Sequence, residues 1–149
     1  MMILNNAVIT TAGTFTGPTY QLREPAGHGP PMFLGFQETF TFGSGAAVTA
    51  DVYVQTSFDA GVTWFDVIHF AQLTTSSARF MAAVGQAGVG PAVAATDGTQ
   101  TVNTVNAGMF GSWWRVKYIT TGTYAGNTTL RVDAVGNVML VPAGVNAFN

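Results

Sequence analysis

The clearest alternation of apolar and polar positions lies in the middle of the chain, where Val48, Ala50, Val52 and Val54 alternate with Thr49, Asp51, Tyr53 and Gln55. Successive strand side chains point to opposite faces, so this stretch predicts a half-buried strand. The chain then passes through Ser57-Phe58-Asp59-Ala60-Gly61-Val62-Thr63-Trp64 into Phe65-Asp66-Val67-Ile68-His69-Phe70, which predicts a second strand antiparallel to the first. That second strand carries apolar groups on both parities, as expected of a strand covered on both faces or lying in an interface.

Further strands follow from the same period. Phe36, Phe40 and Phe42 share one parity within Met32 to Phe42, and Gln37, Thr39 and Thr41 share the other. Ala78 to Val84, Trp113 to Ile119, Leu130 to Ala134 and Val138 to Val141 read as strands, and Val8 to Thr11 can pair as one. Turn signals separate them at Gly43-Ser44-Gly45, at residues 122–127 and at Gly136-Asn137. Short strands spaced by turns predict an all-β protein, an antiparallel β-sandwich of jelly-roll-like type.

Residues 13–35 hold nine Gly and Pro positions, which break any helix and allow only short strands or an extended arm. The expected organisation is an N-terminal arm with the first short strands over 1–35 and a sandwich over 36–149, forming one globular domain. Residues 85–112 are rich in Gly, Ala, Val, Thr and Asn with Asp97 as their one charge, and we read them as a contact loop.

Composition narrows the function. Charged residues make up 8% of the 149, against roughly 25% in an ordinary soluble domain. A surface so poor in charge carries little repulsion, so self-association is expected. The five basic residues, Arg23, Arg79, Arg115, Lys117 and Arg131, are scattered and argue against nucleic-acid binding. Without cysteine there is no disulfide or thiolate metal site. No stretch has the length and apolarity of a membrane span, and the start lacks a cationic signal region, so synthesis and folding in a cytoplasm are expected.

Candidate chemistry is sparse. Ser57, Asp59, Gly61, Thr63 and Trp64 form an S-x-D-x-G-x-T-W pattern, the Asp-box. Turn chemistry accounts for each: Asp59 accepts from turn amides, Gly61 permits a positive φ, Ser57 and Thr63 supply hydroxyls, and Trp64 packs beneath. Sialidase-type propellers share the pattern but carry several copies and an arginine cluster, which this chain lacks. Neither His28 nor His69 sits in a nucleophile motif; His28 is the candidate for a loop contact and His69 for a sheet-face or interface residue. The carboxylates Glu24, Glu38, Asp51, Asp59, Asp97 and Asp133 read mostly as turn acceptors or outward strand positions. Asp66 breaks the alternation, which predicts a bulge after the turn or a buried carboxylate partnered by a residue such as Arg79 or Arg115. These readings give no catalytic residue, no cofactor and no metal site.

In Trp113-Trp114 one indole enters the core and the other faces outward. Trp113, on the parity of Arg115 and Lys117, is open to three roles: stacking on a sugar with Tyr53 or Tyr124 nearby, anchoring a protein interface, or lying under the N-terminal arm. Trp113, Tyr53, Phe65, Arg115, Lys117 and His28 form the expected interface set.

The runs Val52 to Val67 and Arg115 to Gly126 resemble segments of small structural proteins of tailed bacteriophages and prophages, over roughly residues 48–135. The resemblance implies a non-enzymatic virion component, a head decoration or cement protein that binds the major capsid protein and forms a homotrimer, located in the virion. A tail or fibre-associated role is the variant of this reading. A carbohydrate-binding module is the alternative from another class, and a small hydrolase stands third.

Overall fold

A computed structural model describes residues 1–23, 32–85 and 92–144. The described residues form strands and connections: β1 (Met2–Val8), β2 (Gly13–Thr16), β3 (Tyr20–Arg23), β4 (Phe33–Thr41), β5 (Ser44–Ser57), β6 (Phe65–His69), β7 (Ala78–Gly85), β8 (Thr104–Val105), β9 (Trp113–Ala125), β10 (Thr129–Gly136) and β11 (Met139–Pro142). Every pairing is antiparallel. A four-stranded sheet has the order β1-β10-β4-β7, and a seven-stranded sheet the order β11-β3-β9-β5-β6-β8 with β2 also on β9. The two sheets are the layers of an all-β sandwich.

The inward parity of each strand makes the core. Leu34, Phe36 and Phe40 of β4 and Leu130 and Val132 of β10 meet Val52 and Val54 of β5 and Trp114 and Val116 of β9. Phe36 stacks on Trp114 with ring centroids 5.5 Å apart, joining the layers, and Phe40 meets Tyr124 edge-on at 6.2 Å. Trp114 is the indole that enters the core, and its Nε1 donates to the Gly111 carbonyl at 2.9 Å, so no polar atom of the ring is stranded.

Several boundaries differ from those the periodicity predicts. Of the expected N-terminal arm, residues 1–23 are three strands built into both sheets, while residues 24–31, including His28 and Glu24, lie outside the described residues. The strand expected over 8–11 falls earlier, at β1, because register shifts between Met2 and Ala7 and a positive φ of 40° at Asn6 break its alternation. β9 runs through the expected turn at 122–127 as far as Ala125.

Glu38 is a correction of a different kind. It was expected to face outward or serve a turn, but it shares the parity of Phe36 and Phe40, lies in the core at 0% exposure, and neither carboxyl oxygen has a hydrogen-bond partner among the described residues. Burial pushes its carboxyl up to about 8.

Candidate functional site

The outer face of the larger sheet gathers a cluster of polar side chains. β5 contributes Asp51, Tyr53 and Gln55, β6 contributes Asp66 and His69, and β9 contributes Arg115 and Lys117. A bulge decides where Asp66 points. Val54 pairs with Ile68 but Gln55 pairs with Asp66, so Val67 is the extra residue and Asp66 is returned to the outward face beside Gln55.

Asp66 is fully buried because the segment following residue 95 folds over it. Its Oδ1 accepts from Gln55 Nε2 at 2.7 Å and from the Gly98 amide at 3.0 Å; its Oδ2 accepts from the amides of Gly98, Thr99 and Gln100 at 2.9, 3.0 and 3.2 Å. Three consecutive backbone donors thus converge on one carboxylate. Gly98 makes this possible: at φ +84° it adopts the left-handed conformation, and a Cβ there would stand 3.1 Å from the Ile119 side chain. The same segment is tied to β6 by Asp66 N–H to Thr96 O, Asn106 N–H to Val67 O, and Asn106 Nδ2 to Asp66 O.

A second layer of polar contacts surrounds Gln55. Its Nε2 also donates to Asp97 Oδ1 at 2.9 Å, while its Oε1 accepts from Arg115 Nε at 2.7 Å. Asp97 receives Arg115 Nη2 at 3.0 Å and Lys117 Nζ at 2.8 Å. Burial pushes the Asp97 carboxyl up, but the bonds and charges of Lys117, Gln55 and Arg115 more than offset this and hold it below its ordinary value. Arg115 also lies over the Trp64 ring, 4.0 Å from its centroid. The expectation for Asp66 is therefore met by both a bulge and burial. Arg115 reaches it through Gln55, whereas Arg79 lies exposed on the other sheet.

His69 is a buried sheet-face residue stacked on Tyr53, with ring centroids 4.0 Å apart. Its Nδ1 lies 2.7 Å from the Gln100 carbonyl and its Nε2 lies 3.2 Å from Asp51 Oδ1. An Asp–His pair can orient a general base, but both ring nitrogens here already face acceptors, leaving neither for a nucleophilic hydroxyl. Burial, with the charges of Asp51 and Asp66, pushes the Tyr53 phenol up to about 12. Among the described residues no three His, Asp or Glu side chains converge to hold a metal ion.

The Ser57–Trp64 turn is tied by hydrogen bonds among Ser57, Asp59, Gly61 and Thr63. Asp59 Oδ1 accepts from the Thr63 amide at 2.8 Å and from Ser57 Oγ–H at 2.8 Å, and Ser57 Oγ accepts from the Gly61 amide at 2.9 Å. The bonds from Thr63 and Ser57 hold the Asp59 carboxyl down at about 2. Gly61 has φ +87°, and a Cβ on it would lie 3.3 Å from the Trp64 ring. Phe58 is exposed on this turn and meets Phe65 edge-on at 5.7 Å.

The expected interface set divides accordingly. Trp113, on the outward parity beside Ser57, and Phe65, paired with Thr56 on the parity of Val54 and Trp114, are both half-buried at the turn end of the sheet. Tyr53 and Lys117 are corrected: alternation places them on the outer face, but the chain's own loop covers them to 5% and 8% exposure. Arg115 is spent on Gln55, Asp97 and Trp64. Tyr124 is buried in the core, so a sugar platform built from Trp113 with Tyr53 or Tyr124 is lost. The described part of the expected contact loop contacts its own sheet. A residue that sequence reading missed is Gln55, whose outward parity was legible but whose role depends on a loop more than 40 positions away.

A pocket of about 250 Å³ lies between Met1, Leu34, Ala134, Val138 and Leu140, with no titratable side chain in its wall. In comparisons with known proteins, neither a family model nor a curated sequence matches the chain.

Proposed function

We propose that this chain is a non-enzymatic structural protein of a tailed-phage virion, a head decoration or cement protein that self-associates and binds the major capsid protein. The observation that carries the reading is the division of its surface. The larger sheet's polar residues are bonded to one another beneath the chain's own loop. The smaller sheet's outer face is open and poor in charge: it bears exposed Phe33, Met81 and Val135, with Arg131 and Asp133 paired to each other and Arg79 beside them. An open apolar surface of this kind suits a protein that works by covering another protein.

The strand order supports the same reading. The chain changes layer between β1 and β2, β3 and β4, β4 and β5, β6 and β7, β7 and β8, β9 and β10, and β10 and β11. We read β1-β10-β4-β7 against β3-β9-β5-β6 as a jelly-roll-like order, an architecture used by capsid and lectin domains, and one that by itself names no function. Binding to the assembled shell would stabilise it by mass action.

The test is co-sedimentation of the purified chain with shells assembled from the cognate major capsid protein. Saturable binding at a fixed ratio is expected, together with a raised disassembly temperature of the shell. A chain that remains in the supernatant at every ratio contradicts the reading.

A further inference from the structure

The two sheets treat their edges differently. At one edge of the smaller sheet, β1 carries register shifts and the positive φ of Asn6. In the larger sheet, β8 has two residues, β2 has four, and β11 has four and ends at Pro142. Bulges, shortness and proline are the usual means of keeping an edge from pairing with another chain. β7 has none of these. It is eight residues long, it contains no proline, and its register to β4 runs without a shift from Phe33↔Gly85 to Phe40↔Ala78. Gly85 N–H reaches Ala107 O at 3.1 Å, and no other backbone group on the open side of β7 meets a partner among the described residues.

We propose that β7 is the site where a second copy of this chain adds, strand to strand and antiparallel, about a two-fold axis at Ala82. This deepens the self-association in the proposed function by naming its contact. Charge sets the direction, and the match of large against small side chains across the ladder selects a second copy as the occupant. Arg79 is the strand's one charged residue, and parallel in-register pairing would set it beside its copy. Antiparallel pairing about Ala82 sets each Arg79 at the Gly85 end of the other copy, where the Gly85 N–H stays with Ala107 O and the ladder bonds fall on Met81 and Ala83, and it holds the two guanidinium groups far apart. The same register places Met81 opposite Ala83 on the outer face, a large side chain against a small one, and Phe80 opposite Val84 on the core side. Shifting by one residue would turn one copy's outer face toward the other's core side. The result is one continuous eight-stranded sheet whose outer face carries two copies of Phe33, Met81 and Val135. An isologous contact closes at two subunits, so this edge builds a dimer where the resemblance implies a trimer.

Sedimentation equilibrium of the full chain is expected to give twice the 15.6 kDa mass. Met81 and Ala83 are both exposed, so the double variant Met81→Lys/Ala83→Lys is expected to stay folded, with the wild-type far-UV circular dichroism, while its dimer weakens roughly tenfold or more. A wild-type chain that stays monomeric overturns the proposal, and so does a double variant that dimerises as tightly as wild type. Shell binding is measured separately on both proteins: its absence in a dimeric wild type counts against the virion reading alone, and its presence in a monomeric wild type counts against the edge alone.

Discussion

Asp66 accepts the backbone amide of Gly98 with both carboxylate oxygens, at 3.0 and 2.9 Å, and so fixes a segment 32 positions further along the chain onto the outer face of β6. Replacing this acceptor strands several buried N–H groups at once. Asp66→Ala is expected to lower unfolding stability by roughly 2–4 kcal/mol, read by urea denaturation. Limited proteolysis is expected to cut the variant first within 96–106, since those residues lose their anchor.

Glu38 is expected to make stability fall as pH rises. Its carboxyl is raised to about 8 in the folded chain from an ordinary value of 4.5, so between these values the folded state holds a proton that the unfolded chain has released. Stability therefore declines between about pH 4.5 and 8, by at most roughly 1.4 kcal/mol per pH unit, and levels off above. Glu38→Gln is expected to flatten that window. An unchanged slope in the variant's urea midpoints from pH 5 to 8 would assign the dependence elsewhere.

Asp59 acts in the opposite direction and at lower pH. Because its carboxyl is held at about 2 against an ordinary 3.8, the stability it contributes is present above the ordinary value and is lost as pH falls toward 2. Asp59→Ala is expected to lower the melting temperature at neutral pH and to remove this acid-side loss. Any ligand or shell binding is expected to persist, because the bonds of Asp59 all lie within its own turn.

Arg115→Lys is expected to cost roughly 1–2 kcal/mol although it keeps the charge. An ammonium cannot both lie flat on the Trp64 ring and donate to Gln55 and Asp97 as the guanidinium does. Thermal unfolding measures the loss, and a change in tryptophan fluorescence reports the altered surroundings of Trp64.

The central hairpin was legible in the sequence because its information is local: alternation from Val48 to Gln55, turn chemistry at Ser57, Asp59 and Gly61, and a parity break at Asp66 that marked the bulge. Glu38 was equally legible, since it shares the parity of Phe36 and Phe40, but a carboxylate's usual preference for solvent argued against the period. Tyr53 and Lys117 were placed on the correct face, yet nothing local reveals that residues after 95 return to cover that face. β1 was displaced because Asn5 and Asn6 interrupt its pattern. The interleaving of β1 with β10 and of β3 with β9 pairs residues roughly a hundred positions apart, beyond the reach of any local period.

Amide hydrogen exchange on the free chain and on the chain bound to shells tests most directly whether the polar face is sealed by its own loop while the low-charge sheet is left for association. The amides of Gly98, Thr99 and Gln100 are expected to be protected in the free chain and unchanged on binding, with new protection appearing over 33–39. Rapid exchange at 98–100 in the free chain, with protection gained there on binding, would contradict the division and make the loop the contact surface.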